Sequence, residues 1–242
     1  MKILALDTST EACSAALLFD TQISERYQVA PREHGALILP MIEQLLSEAA
    51  ITVSQLDALA FGRGPGAFVG VRIATGVAQG IAFAADLPVV PVSSLAALAQ
   101  SVDYPNIYSA IDARMGEVYW GVYGKNHEGI VELLGEETIC APHQVGENLP
   151  ENATTVNPWY GVGSGWGVYS DILQKQLGKL TGYHANSYPQ AKHIARIARH
   201  EVALGRVVEA CDAMPTYLRN NVAKKSVAKK SVAKKSVTKN SD

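Results

Sequence analysis

The chain has 242 residues, of which 48% are hydrophobic, so it is long enough for one large domain or two smaller ones with a substantial core. Its net charge of −2 is divided unevenly, because residues 223–242 hold seven lysines and one aspartate while the rest hold 14 basic and 22 acidic residues. The apolar stretches are too short for a membrane span, the first residues lack a signal-peptide pattern, and three widely separated cysteines suggest neither a disulfide framework nor a zinc site. We therefore expect a cytoplasmic protein with no membrane partner.

Residues 1–104 have the pattern of an α/β lobe. Three strands are predicted at residues 2–7, 13–19 and 22–29, with connections short enough for antiparallel hairpins. The elements predicted next are a helix at 35–50, a strand at 58–61, a helix at 68–85, a strand at 88–92 and a helix capped by Ser93 or Ser94. This order is similar to that of the actin, sugar-kinase and Hsp70 superfamily, and it predicts an α/β fold of two lobes with mixed sheets flanked by helices.

Residues 105–189 are predicted to form a smaller lobe, with strands at 106–111 and 117–123 and a glycine-rich loop at 161–167. Residues 190–222 contain a predicted helix at 190–204 and a strand-like end that we expect to pack back on the lobes. Residues 223–242 repeat every five residues, a period that fits neither helix nor strand, so we expect a disordered basic tail. Its lysines could bind nucleic-acid phosphates without specificity, or the tail could be a dispensable solvated extension.

Two helices of the first lobe carry more apolar surface than one lobe needs to bury. The helix at 68–85 has a single charged residue, Arg72, and two rows of small residues at helical spacing, one of which is Gly76, Gly80 and Ala84. Such rows let another helix approach closely. The predicted partner interface consists of Leu37, Ile38, Met41, Leu45, Gly70, Arg72, Ala74, Ala78 and Ala82. The alternative is that the two helices bury only each other and the sheet.

No catalytic or metal-binding residue is predicted from the sequence. None of the six histidines is four residues from another, and the H-E-x-x-H pattern and a G-x-S-x-G elbow are both absent. Solvated histidines explain the pattern better than metal ligands do.

Two segments could lie near an anion. Residues 7–10 stand where the actin-like superfamily has its first phosphate loop, and residues 62–70 place glycines before a helix, where free amides attract anions. The candidate anion- or nucleotide-proximal loop consists of Thr8, Ser9, Thr10, Arg63, Gly64 and Gly66. The alternatives are a capped turn for the first segment and a tight turn that sets the helix direction for the second.

Four segments carry a resemblance to a known family. They read ILALDTSTEACSAALL, GRGPGAFVGVRIATGVAQG, IDARMGEVYWGVY and PTYLRNNVA, and they span residues 3–223. The second closely resembles the most specific signature of the TsaB (YeaZ) family, which reads approximately G-P-G-S-F-T-G-L-R-I-G. The chain is therefore identified as similar to this family.

The resemblance implies a non-catalytic scaffold or activator of the complex that adds threonylcarbamoyl to adenosine 37 of ANN-decoding tRNAs. It implies pairing with the catalytic paralogue TsaD, a complex joined by the ATPase TsaE, a homodimer, and contact with tRNA through the complex. No cofactor of its own is expected, although ATP or ADP could lie at the interface with partners. The alternatives are an independent ATP-binding or metallopeptidase-like (glycoprotease) enzyme of the same superfamily, and a chaperone-like regulator.

Overall fold

The structure is a computed structural model that describes residues 1–147, 149, 158–178 and 180–219. The predicted basic tail, residues 223–242, lies outside the described residues. Most other predicted elements are present, and the differences are given below.

The first sheet has five strands in the order β3-β2-β1-β4-β5. Its strands are β1 (Lys2–Asp7), β2 (Ala12–Phe19), β3 (Gln22–Val29), β4 (Ala58–Gly62) and β5 (Val89–Val92). The first three are antiparallel neighbours, while β4 and β5 run parallel to β1. Strand β1 is apolar along almost its whole length because both of its faces are covered: Ile3 and Ala5 point into one core and Leu4 and Leu6 into another.

Helices α1 (His34–Glu48) and α2 (Phe68–Ala85) contact each other, and their inner faces bury side chains in the core of the first sheet. Helix α3 (Ser94–Ala99) follows β5, and the Ser93 hydroxyl accepts hydrogen bonds from the amides of Leu95 and Ala96. Ser93 is therefore the cap of this helix, one of the two residues that the sequence offered for that role.

The second sheet has six strands, and its central pair is the hairpin β6 (Asn106–Arg114) and β7 (Glu117–Lys125). The remaining strands are β8 (Val131–Leu133), β9 (Thr138–Cys140), β10 (Trp159–Val162) and β11 (Gly182–His184). Helix α4 (Ser164–Leu177) packs on one face of this sheet with Tyr108, Trp120 and Trp159. Helix α5 (Ala191–Ala203) and α3 share a core with the apolar residues of both sheets.

The glycine-rich segment 161–167 is not the predicted loop. Its first residues complete strand β10 and its last residues begin helix α4. A Cβ atom on Gly161 would lie 2.4 Å from Cε2 of Trp166, and one on Gly163 would lie 2.2 Å from the Ala110 carbonyl oxygen. The glycines are therefore required by close packing within regular structure, which a composition typical of loops does not distinguish.

Helix α2 is 18 residues long with a mean hydropathy of 1.5, so it is long and apolar enough to cross a membrane by these two measures alone. Within the described residues it is the single helix that meets both measures. One row of its side chains packs in the core of the first sheet. Such a pattern is typical of the core helix of a lobe.

Candidate functional site

The loop at residues 7–10, between β1 and β2, is buried and uses its own polar groups. The amide and the hydroxyl of Ser9 each donate to Oδ1 of Asp7 at 2.9 Å. The Thr8 hydroxyl donates to the Gly70 carbonyl at 2.6 Å. Burial raises the pKa of Asp7 to about 6, and the two hydrogen bonds from Ser9 oppose that rise. The Thr8 and Ser9 hydroxyls are thus already engaged within the chain.

The glycines of residues 62–70 make room for this loop. A Cβ atom would lie 1.8 Å from Oδ2 of Asp7 if placed on Gly62, and 2.0 Å from the Thr8 carbonyl oxygen if placed on Gly70. On Gly66 it would lie 2.2 Å from the Ser9 carbonyl oxygen. The signature glycines therefore allow two backbone segments to touch, and the start of α2 is filled by the neighbouring loop.

The six residues of the predicted anion-proximal loop do not form one open cradle. Gly66 packs against Ser9, but Gly64 packs beside the Thr216 carbonyl oxygen, 3.0 Å from a Cβ position, with a φ of +94°. Thr10 lines a cleft, and its buried hydroxyl has no hydrogen-bond partner among the described residues. Packing within the chain thus engages the hydroxyls of Thr8 and Ser9, and the anion-proximal role of the six residues stays a prediction.

Arg63 belongs to a different cluster, which joins the two halves of the fold. Burial raises the pKa of Tyr123 well above its usual value, and the charge of Arg63 opposes that rise. The hydroxyls of Tyr123 and Ser93 both donate to the Glu137 carboxylate. Arg63 therefore lies close enough to Tyr123 for its charge to act on that buried hydroxyl.

Most of the predicted partner-interface residues lie inside the chain. Those that are at most 1% exposed are Ile38, Leu45, Ala74, Ala78 and Ala82. The other buried ones are Met41 and Gly70, while Leu37 is half-buried. The row of alanines faces the sheet, where small side chains let α2 approach the strands closely. This part of the prediction is corrected, since side chains enclosed by their own lobe cannot contact a partner.

The accessible surface is the opposite side of the two helices. We call it the outer α1–α2 face and define it by seven exposed residues: Gly35, Leu39, Val69, Gly76, Gly80, Phe83 and Ala84. Phe83 is 84% exposed, and no atom lies within 4 Å of a Cβ position on Gly76 or Gly80. The sequence contained the signal for this face, because Gly76, Gly80 and Ala84 form the second row of small residues on α2.

A cleft of about 480 Å³ lies between the two sheets, bordered by the loop at 7–10, the start of α2, the β6–β7 turn and residues 216–219. At its mouth the Arg72 guanidinium lies 3.2 Å from the ring centroid of Phe68 and 5.2 Å from that of Tyr217. Arg114 pairs with Glu11 at 2.5 Å on the other side of the cleft. Arg72 therefore belongs to the cleft mouth as well as to α2.

The described histidines do not resemble a metal site. His34 and His193 are buried singly, and burial, reinforced by neighbouring cationic side chains, lowers the pKa of His193 to about 3. The one group of potential ligand atoms within the described ranges is Glu209, Cys211 and Asp212, which are all exposed. These observations favour a structural role for the buried histidines.

Comparisons with known proteins agree with this fold. The model of the family described as TsaD, tRNA N6-adenosine threonylcarbamoyltransferase, matches residues 22–227. The solved structure described as YeaZ from Pseudomonas aeruginosa is similar, with a TM-score of 0.82 and 45% identity, and the match covers 90% of this chain and 99% of that one. The chain is thus a protein of the TsaD-like, actin-type fold.

Full-length relatives identify the branch. The tRNA threonylcarbamoyladenosine biosynthesis protein TsaB of Escherichia coli (strain K12) is 42% identical, with 93% of this chain and 97% of the relative covered. The protein of the same name from Haemophilus influenzae is 40% identical over 93% of this chain and 96% of that protein. The chain belongs to the TsaB family.

Proposed function

We propose that this chain is a non-catalytic subunit in threonylcarbamoyladenosine biosynthesis that activates a TsaD-like catalytic paralogue by docking to it. The relatives that support this carry the pathway in their names. The observation that carries the proposal is the outer α1–α2 face, where Leu39, Val69 and Phe83 are exposed together with two glycines. Apolar residues beside a helical surface without side chains are suited to a close helix–helix contact.

The same face suits two partners. A second copy of the chain would give a homodimer in which the outer α1–α2 faces of the two copies contact each other. In the heterodimer, the paralogue would contact this face with an equivalent surface of its own. A TsaE-like ATPase would then join the heterodimer, and tRNA would be reached through the complex. This assembly works in the cytoplasm and without a membrane.

The loop at residues 7–10 supports the proposal that the chain catalyses no reaction by itself. Thr8 and Ser9 donate their hydroxyls to Gly70 and Asp7, and a loop that is already satisfied has little to offer a phosphate. The chain accordingly holds no cofactor by itself, and ATP or ADP binds where it meets its partners.

The proposal is tested by measuring the mass of the complexes in solution. Sedimentation is measured for the chain alone and for the chain mixed with the purified TsaD-like paralogue. Phe83→Glu places a charge on the outer α1–α2 face, and Val168→Glu, at a 58% exposed position on α4, is the matched control. We expect the Phe83→Glu variant to fold but to stay monomeric in both samples, and we expect the control to pair as the wild type does.

A contrary result is equally clear. If Phe83→Glu pairs as the wild type does, the outer α1–α2 face is not the docking surface. ATP turnover or peptide cleavage by the purified chain alone would favour the independent enzyme instead.

A further inference from the structure

A second cleft, of about 1180 Å³, lies at the other end of strand β1 from the cleft of about 480 Å³ described above. Met1 lines the second cleft, whereas Ser9 and Thr10, which follow the far end of β1, line the first. We call the second one the α5 cleft; its walls are the β2–β3 turn, the residues that follow α3, the β7–β8 turn and one side of α5. The outer α1–α2 face contains none of these elements.

Helix α5 presents two arginines to this cleft. Its buried side, including Ile194 and Ala198, packs in the core that the two sheets share. Arg196 and Arg199 are exposed and line the α5 cleft. Residues three apart lie on the same side of a helix, with Cβ atoms about 5–6 Å apart. Both guanidinium groups can therefore reach a single anion or two neighbouring ones.

Each carboxylate that lines the α5 cleft already has a basic neighbour. Asp20 pairs with the N-terminal amino group at 3.1 Å, and Asp103 pairs with Lys125 at 3.2 Å. Nδ1 of His200 lies 2.9 Å from the Glu128 carboxylate. These carboxylates are matched one for one, so they do not compete for the two arginines.

The two arginines have no such partner. Within the described part of the chain, neither Arg196 nor Arg199 lies within ion-pair distance of a carboxylate, whereas Lys192 on the same helix pairs with Glu25 at 3.2 Å. The helix dipole favours cations in the last turn, where α5 has His200, and its effect falls off before that turn. The helix itself thus gives no reason for two free cations at these positions.

A third cation comes from the second sheet. Lys125, at the end of β7, lines the same cleft, and its partner Asp103 is fully exposed, so the pair contributes little and can be exchanged for another anion. Burial lowers the pKa of the His193 imidazole to about 3, and the charges of Lys192, Arg196 and Lys125 add to that effect. Since Arg196 and Lys125 both act on one imidazole, the two cations converge on the same region.

Two properties of the α5 cleft favour phosphate groups carried on a large molecule. A guanidinium donates two parallel hydrogen bonds to a phosphate, and an ammonium adds a point charge. The cleft is much larger than one phosphate and its arginines are exposed, whereas sites for small molecules are usually enclosed and mostly apolar. Exposed Arg and Lys side chains are common ligands of a nucleic-acid backbone.

We propose that Arg196, Arg199 and Lys125 bind phosphate groups in the α5 cleft. That these phosphates belong to the backbone of a tRNA rests on the proposed function; the phosphate chemistry does not, and a free polyphosphate is its other source. Pairing through the outer α1–α2 face leaves the cleft accessible, because α5 packs on the face of the first sheet opposite to α1 and α2. A tRNA held there would be oriented without being read in sequence.

The test uses the full-length chain and three ligands. A fluorescein-labelled tRNA transcript is titrated by fluorescence anisotropy at several salt concentrations, pyrophosphate is titrated by calorimetry, and poly-L-glutamate competes with the tRNA. The variants are Arg196→Gln and Arg199→Gln. Lys175→Gln is the matched control, because it removes one exposed cation from the last turn of α4.

We expect each arginine variant to weaken tRNA binding by roughly fivefold at low salt and to lower the salt slope by about 0.7–0.9. Arg196→Lys, which keeps the charge, should keep the slope. Lys175→Gln should bind the tRNA as the wild type does. Pyrophosphate binding that depends on the same arginines, without binding of the tRNA, would support the site and assign it to a free polyphosphate.

Three results would overturn the proposal. Equal losses in the two arginine variants and in Lys175→Gln would mean that only the net charge of the chain matters. Displacement of the tRNA by poly-L-glutamate at an equal concentration of charges would mean that the cleft does not select phosphate. Loss of pairing with the paralogue in the arginine variants would make the cleft a protein interface. Sedimentation measures pairing separately, so a failure here is distinguishable from a failure of the docking proposal, and urea unfolding confirms that each variant is folded.

Discussion

The two glycines on the outer side of α2 lead to a prediction in which stability and association change in opposite directions. Glycine inside a helix costs roughly 0.8–1 kcal/mol relative to alanine. A Cβ atom on Gly76 or Gly80 would meet no atom within 4 Å in the isolated chain. The double variant Gly76→Ala, Gly80→Ala should therefore raise the free energy of unfolding of the monomer by about 1.5–2 kcal/mol.

The same methyl groups should weaken pairing. If a partner helix packs against the glycines, each Cβ intrudes into the contact, and overpacking of this kind costs about 1–3 kcal/mol. The dissociation constant should accordingly rise by roughly fivefold to 150-fold for each glycine that the partner helix contacts. In a homodimer, both copies carry the change.

Urea unfolding at low protein concentration measures the first effect, and sedimentation over a concentration series measures the second. Gly167→Ala is the matched control, because this glycine is exposed on α4 and a Cβ there would make only ordinary contacts, the nearest at 3.5 Å. It should not change association. A double variant that is more stable and pairs as tightly as the wild type would refute the reasoning.

Three further predictions concern the packed loops and buried titratable groups. Gly70→Ala should lower the free energy of unfolding by about 3 kcal/mol or more, because the new Cβ would lie 2.0 Å from the Thr8 carbonyl oxygen; a urea midpoint equal to that of the wild type would contradict this. The pKa of Asp7 is raised from 3.8 to about 6, so its contribution to stability is present below about pH 4 and is lost as the pH rises through 6. Asp7→Asn should remove this pH-dependent loss of about 3 kcal/mol in the free energy of unfolding. Parallel pH profiles of stability for the wild type and the variant would contradict this prediction. The pKa of His193 is lowered to about 3, so its contribution is present above about pH 6.5 and is lost as the pH falls; His193→Gln should unfold less readily in acid, which thermal melts at about pH 4 and pH 7 would show or disprove.

The sequence predicted the elements of the first lobe closely, because its strands and helices have clear periodicity. It did not predict which side of α2 faces the sheet. The row Ala74, Ala78 and the row Gly76, Gly80 are both made of small residues, and periodicity alone does not orient two such rows. The structure distinguishes the two rows, since the alanines are buried in the core and the glycines face solvent.

The role of the signature glycines could not be read from the sequence for a different reason. Gly62, Gly66 and Gly70 are required by Asp7, Thr8 and Ser9, which precede them by more than 50 residues. Local patterns show that a glycine is present, but not which distant backbone touches it. The residue boundaries between the predicted lobes remain predictions.

The most direct test of the central claim is a reconstituted reaction, in which the TsaD-like paralogue and its other components transfer threonylcarbamoyl to tRNA in the presence of this chain. We predict that Phe83→Glu, which alters the outer α1–α2 face, abolishes the stimulation, while Asp7→Asn, which alters the buried loop, retains it. Full stimulation by Phe83→Glu together with loss in Asp7→Asn would contradict an activator that works by docking.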